Sequence, residues 1–114
     1  MNIVRIDCSK ITSIDKFHDV FALAMGFPDF YGRNMNAWID CMTSLDEPED
    51  ELTSVHVPKG EMLTIQLDNI DKLISSDQKM YESLVDDVAF VNHRRIEAGD
   101  MPVLALSYHA DPNR

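Results

Sequence analysis

The side chains best placed to do chemistry in this chain lie between Phe27 and Cys41, in the run Phe-Pro-Asp-Phe-Tyr-Gly-Arg-Asn-Met-Asn-Ala-Trp-Ile-Asp-Cys. Asp40 is the group of most interest. A carboxylate accepts paired, charge-assisted hydrogen bonds from guanidinium groups, so an exposed one is suited to a cationic cleft. At about 100° per residue, Met35, Ala37, Trp38, Ile39, Cys41, Met42 and Leu45 fall on one apolar arc of a helix. Arg33, Asn36, Asp40 and Thr43 take the other face, so Asp40 projects from the polar side with Asn36 one turn before it.

Other chemistries are poorly supported. His18, His56, His93 and His109 fall on different predicted elements, and no pair has an i, i+4 ligand spacing, so no metal site is expected. Asp86-Asp87 and Asp68 to Asp71 hold paired acids, as the solvated face of a helix routinely does; acid–base catalysis would need Asp68, Asp71 and Asp86 gathered round one pocket. The glycines form no phosphate cradle after a strand, and the serines lack a nucleophile elbow. Cys8 and Cys41 stand in no metal or redox spacing and read as reduced packing residues. No cofactor is expected.

The elements that must position Asp40 begin with a turn. Pro28 fixes one backbone angle and Gly32 can adopt positive φ, which would hold Phe30 and Tyr31 on a tight aromatic turn. Those two rings either pack beneath the turn as latches or stand out as anchors. Asn34 caps the helix that follows, to about Leu45. Before it, Asn2 to Asp7 reads as a buried parallel strand. Ser13 to Gly26 reads as a first helix, with Ile14, Phe17, Phe21, Ala24 and Met25 at helical spacing. After it come an acidic, proline-containing loop over 46–60, read as a solvated connection or as an acidic surface extended toward a basic partner, and a short edge strand over Ser54 to Pro58. Met62 to Leu67 is the next strand. Asp68 or Asn69 caps a short helix, Ser76 starts a longer one ending at Gly99, and Pro102 to Ser107 is the last strand. This order favours a three-stranded parallel sheet with right-handed crossovers.

The stretch resembles the barstar family, small intracellular proteins that inhibit secreted bacterial ribonucleases. The resemblance rests on Pro28, the aromatic pair Phe30 and Tyr31, Gly32, Asn34, Ala37 and the run Asp40-Cys41-Met42-Thr43. It implies an α/β fold, a barstar-like three-layer sandwich with a three-stranded parallel sheet and about four helices, over one domain at 1–109 with a loose tail at 110–114. It also implies a mechanism. The turn and helix plug a ribonuclease active site, with the Asp40 carboxylate in place of a substrate phosphate.

Carried over by position, the implied partner-binding residues are Phe30, Tyr31, Gly32, Asn34, Met35, Asn36, Ile39, Asp40, Thr43 and Leu45. Several depart from the family pattern. Phe30 lacks a tyrosine's hydroxyl, Asn36 stands for a second aspartate, Ile39 for a contact tryptophan and Leu45 for another aromatic. Arg33 reverses an acidic position, and Arg94 stands near a contact glutamate in the last helix.

Composition agrees with such a partner. Twenty acidic against ten basic residues give a net charge of −10, which suits a basic protein and disfavours direct contact with nucleic acid. With 114 residues, 45% of them hydrophobic, the chain is expected to form one core. No apolar run nears the ~20 residues that span a bilayer, and no signal peptide opens the chain, so a cytoplasmic protein, monomeric when free, is expected. The expected function is that of a non-enzymatic, immunity-type inhibitor of a basic ribonuclease or nuclease toxin. The alternative is a barstar-like interaction module with a non-nuclease partner.

Overall fold

In the computed structural model, which describes residues 2–113, local capping chemistry opens most of the helices. Ser13 Oγ accepts the Lys16 N–H at 3.1 Å and starts α1 (Ile14–Met25), which Gly26 closes in the left-handed region at φ 65°. Asn34 Oδ1 accepts the Ala37 N–H at 2.8 Å and starts α2 (Met35–Thr43). A short α3 (Ile70–Ser76) leads into α4 (Gln78–Glu97), which begins after Asp77 rather than at Ser76. The Asp77 carboxylate, accepting from the Met80 N–H at 3.0 Å, outcompetes the neighbouring hydroxyl as cap. Asn69 occupies the cap position of α3 at φ 57°, yet its side chain donates to Asp7 at 2.9 Å instead of capping.

Three parallel strands, β1 (Ile3–Asp7), β2 (Leu63–Asp68) and β3 (Leu104–His109), lie in the order β1-β2-β3. Val4 pairs with Ile65 and Ile6 with Leu67, while Leu63 pairs with Leu104 and Ile65 with Leu106. Alternation puts these apolar residues on one face. The helices pack on that face, since its Ile6, Leu63, Ile65 and Leu67 share one core with Phe17 and Phe21 of α1, Leu73 of α3 and Leu84, Val88 and Val91 of α4. Arg5, Asp7, Thr64, Gln66 and Asp68 line the other. Three layers result: the sheet, the helices that touch it, and α2, which packs chiefly on α4 and seats Trp38 against Phe17 and Phe21 of α1 at ring distances of 6.3 and 5.5 Å. Trp38, Phe17 and Phe21 are fully buried, and cutting any one to alanine removes about 3–5 kcal/mol by transfer and cavity terms together.

Several expectations from the sequence need correction. β1 is an edge strand of which Ile6 alone is buried; Ile3, paired with Thr64, shares the open face of the sheet with Arg5 and is 46% exposed. Ser54 to Pro58 forms no strand. Its backbone bonds elsewhere: the Ser54 and Val55 N–H groups both donate to the Met25 carbonyl at the end of α1, and Val57 donates to the Leu45 carbonyl after α2. The acidic loop is therefore not simply solvated. Thr53 and Val57 are buried, and Asp46 is buried in an ion pair with Arg95 of α4. The tail is also held more firmly than a loose end. Asp111 donates its N–H to Asp71 at 2.9 Å and meets Lys72 at 3.2 Å, while Arg114 lies outside the described residues.

Candidate functional site

The aromatic turn is held from below by α1. Phe27 continues the chain from Gly26 with its N–H on the Ala22 carbonyl, and the Tyr31 N–H closes a tight turn on the Pro28 carbonyl at 2.9 Å. Tyr31 then reaches inward. Its ring stacks on Phe27 at 4.6 Å, and its hydroxyl lies 2.6 Å from Nδ1 of His18, a residue only 1% exposed. Burial pushes the Tyr31 hydroxyl well above its ordinary pKa and holds the His18 imidazole below its own, with Arg33 adding to the second effect. Phe30 turns outward and is 76% exposed. Tyr31 is thus the latch beneath the turn, while Phe30 stands out from it.

Positive φ falls one residue later than the sequence suggests. Arg33 takes it at 52°, stabilised by a 2.9 Å pair with Asp19 and a 3.0 Å bond to the Asp15 carbonyl. Gly32 is needed for a different reason: a Cβ there would lie 3.2 Å from Asn34 Nδ2 and 3.5 Å from Ala37 Cβ, crowding the cap of α2.

The face of α2 that carries Asp40 is open. The Asp40 side chain is 63% exposed and lies 3.0 Å from Nη1 of Arg94 on α4. Between helix and turn sits a concavity of about 140 Å³, walled by Pro28, Phe30, Tyr31, Gly32, Asp40 and Cys41 and closed by Leu52 from the acidic loop. That volume suits one protruding side chain and falls short of the ~300 Å³ at which small-molecule pockets begin. The Cys41 thiol is pushed up to about 11 by burial and then by Asp40, and the Cys8 thiol to about 12 by burial, so both stay protonated at neutral pH.

The chain is matched over residues 1–100 by the family described as "Barstar (barnase inhibitor)". It belongs to the barstar family. A Bacillus subtilis (strain 168) protein named "Putative ribonuclease inhibitor YrdF" is 40% identical over 43 residues, which make up 38% of this chain. The chain covers 47% of that relative, about half its length.

In this barstar-family chain Phe30, Gly32, Asn34, Asn36 and Asp40 are exposed on the turn and helix, and Tyr31 and Met35 are half-buried against the core. Ile39 and Leu45 do not belong there. They are 6% and 0% exposed and pack in the core, Ile39 on the helical arc that carries Trp38 and Met42, and Leu45 just past the end of α2, where the Val57 N–H bonds its carbonyl. Thr43 is half-buried and spends its hydroxyl on the Ile39 carbonyl at 2.6 Å. Leu52 and His18 shape the site without being singled out by spacing. The signal for Leu52 is an apolar residue inside an otherwise acidic loop. The acids that a hydrolase would use are engaged separately, Asp68 by Arg5 at 3.2 Å and Asp71 by the Asp111 N–H.

Proposed function

We propose that this chain inhibits a basic ribonuclease or nuclease toxin by seating the aromatic turn and α2 in the enzyme's active site. The Asp40 carboxylate takes the position of a substrate phosphate there, and Phe30 anchors against the rim. The inhibitor is not itself an enzyme; it acts in the cytoplasm as a monomer and carries no cofactor.

Membership of the barstar family supports the reading, as does the name of the Bacillus subtilis relative. The single observation that carries it on this chain is the placement of Asp40. An exposed carboxylate beside a side-chain-sized concavity can accept bonds from an arginine, lysine or histidine cluster while a partner side chain fills the hollow. The net charge of −10 favours fast encounter with a basic enzyme.

The test is residual RNA cleavage by a panel of secreted ribonucleases and nuclease toxins, barnase included, in the presence of the wild type and of Asp40→Asn. Inhibition that the substitution weakens is expected; equal inhibition by both proteins sinks the role given to Asp40. A second reading, an interaction module with a non-nuclease partner, draws on the counter-ion that Asp40 already has in Arg94 and on the burial of Ile39 and Leu45. Capture of a basic non-nuclease protein with no protection of RNA would favour it.

A further inference from the structure

Arg94 and Arg95 are neighbours with opposite fates. Arg95 is buried and donates to Asp46, to the Thr43 carbonyl and to the Met101 carbonyl, which clamps the end of α4 against the end of α2. That clamp sets the position of Arg94, whose guanidinium then lies 3.0 Å from Asp40 and is 41% exposed. At the other end of the same face, Arg33 is tied to Asp19. With the exposed Asp29 of the turn, the surface around Asp40 thus carries charges of both signs on a strongly acidic protein.

We infer that Asp40 and Arg94 dock together as one two-charge element, and that the cleft receiving them carries a carboxylate beside its basic groups. The inference rests on the inhibitor reading above and names the chemistry of the partner. Three steps carry it. A cleft that closes on Asp40 closes also on Arg94, because the two groups touch. A purely cationic cleft would then bury a guanidinium among like charges, which is strongly unfavourable. An exposed ion pair is worth little by itself, so a partner loses almost nothing by re-partnering it.

A nuclease cleft fits this demand. Where acid–base cleavage of RNA uses a carboxylate as its base, that anion stands beside the cations that hold phosphate, whereas a cleft whose base is an imidazole lacks it. Asp40 addresses the cations, and Arg94 addresses the carboxylate. Arg94 has donors to spare, since among the described residues its guanidinium gives one hydrogen bond, to Asp40.

The experiment measures dissociation constants of wild type, Asp40→Asn, Arg94→Ala and Arg94→Lys for each nuclease of the panel. It repeats them with nuclease variants in which each active-site carboxylate is replaced by its amide. Thermal melting checks that every variant folds. For a nuclease that wild type inhibits, Arg94→Ala weakens binding about tenfold, Arg94→Lys recovers part of the loss, and one amide replacement abolishes the difference between wild type and Arg94→Ala. Unchanged or tighter binding by Arg94→Ala overturns the inference, making Arg94 a bystander or a mask, and leaves the inhibitor reading standing. Inhibition by neither wild type nor any variant overturns the inhibitor reading and the paired docking element with it.

Discussion

Arg95 and Asp46 meet inside the protein as a two-pronged ion pair, with Nη1–Oδ1 at 3.0 Å and Nη2–Oδ2 at 2.7 Å, both side chains 6% exposed. The pair joins α4 to the segment that leaves α2. Removing Asp46 strands the Arg95 guanidinium, and removing Arg95 leaves the buried Asp46 with only the weaker Lys59 contact at 3.8 Å, so either loss costs up to about 3–5 kcal/mol. Arg95→Ala is therefore expected to destabilise by that order, and Arg94→Ala, one residue away on the surface, by less than about 0.5 kcal/mol. Urea unfolding followed by Trp38, the one tryptophan of the chain, measures both. Similar losses for the two variants would refute the assignment of inner and outer roles.

Acid should unfold the protein in two stages. The His18 pKa is depressed in the folded state by burial, so its contribution to stability is full above the unfolded value near 6.5 and is lost as the pH falls from there through the folded value. The Asp46 pKa is depressed chiefly by its hydrogen bonds to Arg95, so its contribution is present above about 3.8 and lost on further acidification. Denaturation midpoints taken from about pH 7 down to about pH 2 should fall first in the histidine window and again in the carboxylate window below about 3.8. His18→Gln should flatten the first decline alone. A flat profile between about pH 7 and pH 5 in the wild type would contradict the burial of a neutral imidazole.

What is legible in the sequence is what neighbours in the chain decide. Ser13, Gly26 and Asn34 mark helix ends because a cap acts over three or four residues, and Trp38 and Cys41 face inward because a helical arc is a local count. The misplaced start of α4 is a contest between the adjacent cap-forming residues Ser76 and Asp77, and spacing alone does not decide it. Partners distant in sequence are the illegible part. Asp46 looks like one more acid in a solvated loop until Arg95 folds over it, and Ser54 to Pro58 looks like a strand until its N–H groups find Met25 and Leu45. In the site, Asp40 is placed by its own helix, whereas its contact with Arg94 depends on two helices meeting.

Gly26 is constrained twice, by its φ of 65° and by its neighbour, since a Cβ would lie 2.4 Å from Ser54 Oγ and 2.5 Å from Ser54 Cβ. Gly26→Ala is expected to cost more than about 1 kcal/mol. Because the Cβ of Ser54 is as close as its hydroxyl, adding Ser54→Ala should give no rescue, while Ser54→Gly should recover part of the loss. Thermal melting of the single and double variants decides it. Full rescue by alanine would mean that the hydroxyl alone sets the packing of the loop on α1.

Phe30 and Tyr31 adjoin in sequence and should separate cleanly in experiment. Tyr31 supports the turn through its hydroxyl contact with His18 at 2.6 Å. His18 Nε2 already lacks a hydrogen-bond partner, so Tyr31→Phe leaves both ring nitrogens buried and unsatisfied, at a cost of about 1–3 kcal/mol. Phe30, at 76% exposure, supports nothing beneath it; Phe30→Ala should change stability by less than about 0.5 kcal/mol. On the inhibitor function proposed above, its effect belongs to the complex. An exposed aromatic beside the Asp40 concavity is a candidate hot spot, so the same substitution should weaken inhibition of a nuclease tenfold or more, an estimate of about 1.4 kcal/mol. Melting curves and inhibition constants for the two variants give the comparison. Loss of stability in Phe30→Ala with binding unchanged would reverse the two roles and move the anchor of the docking surface elsewhere.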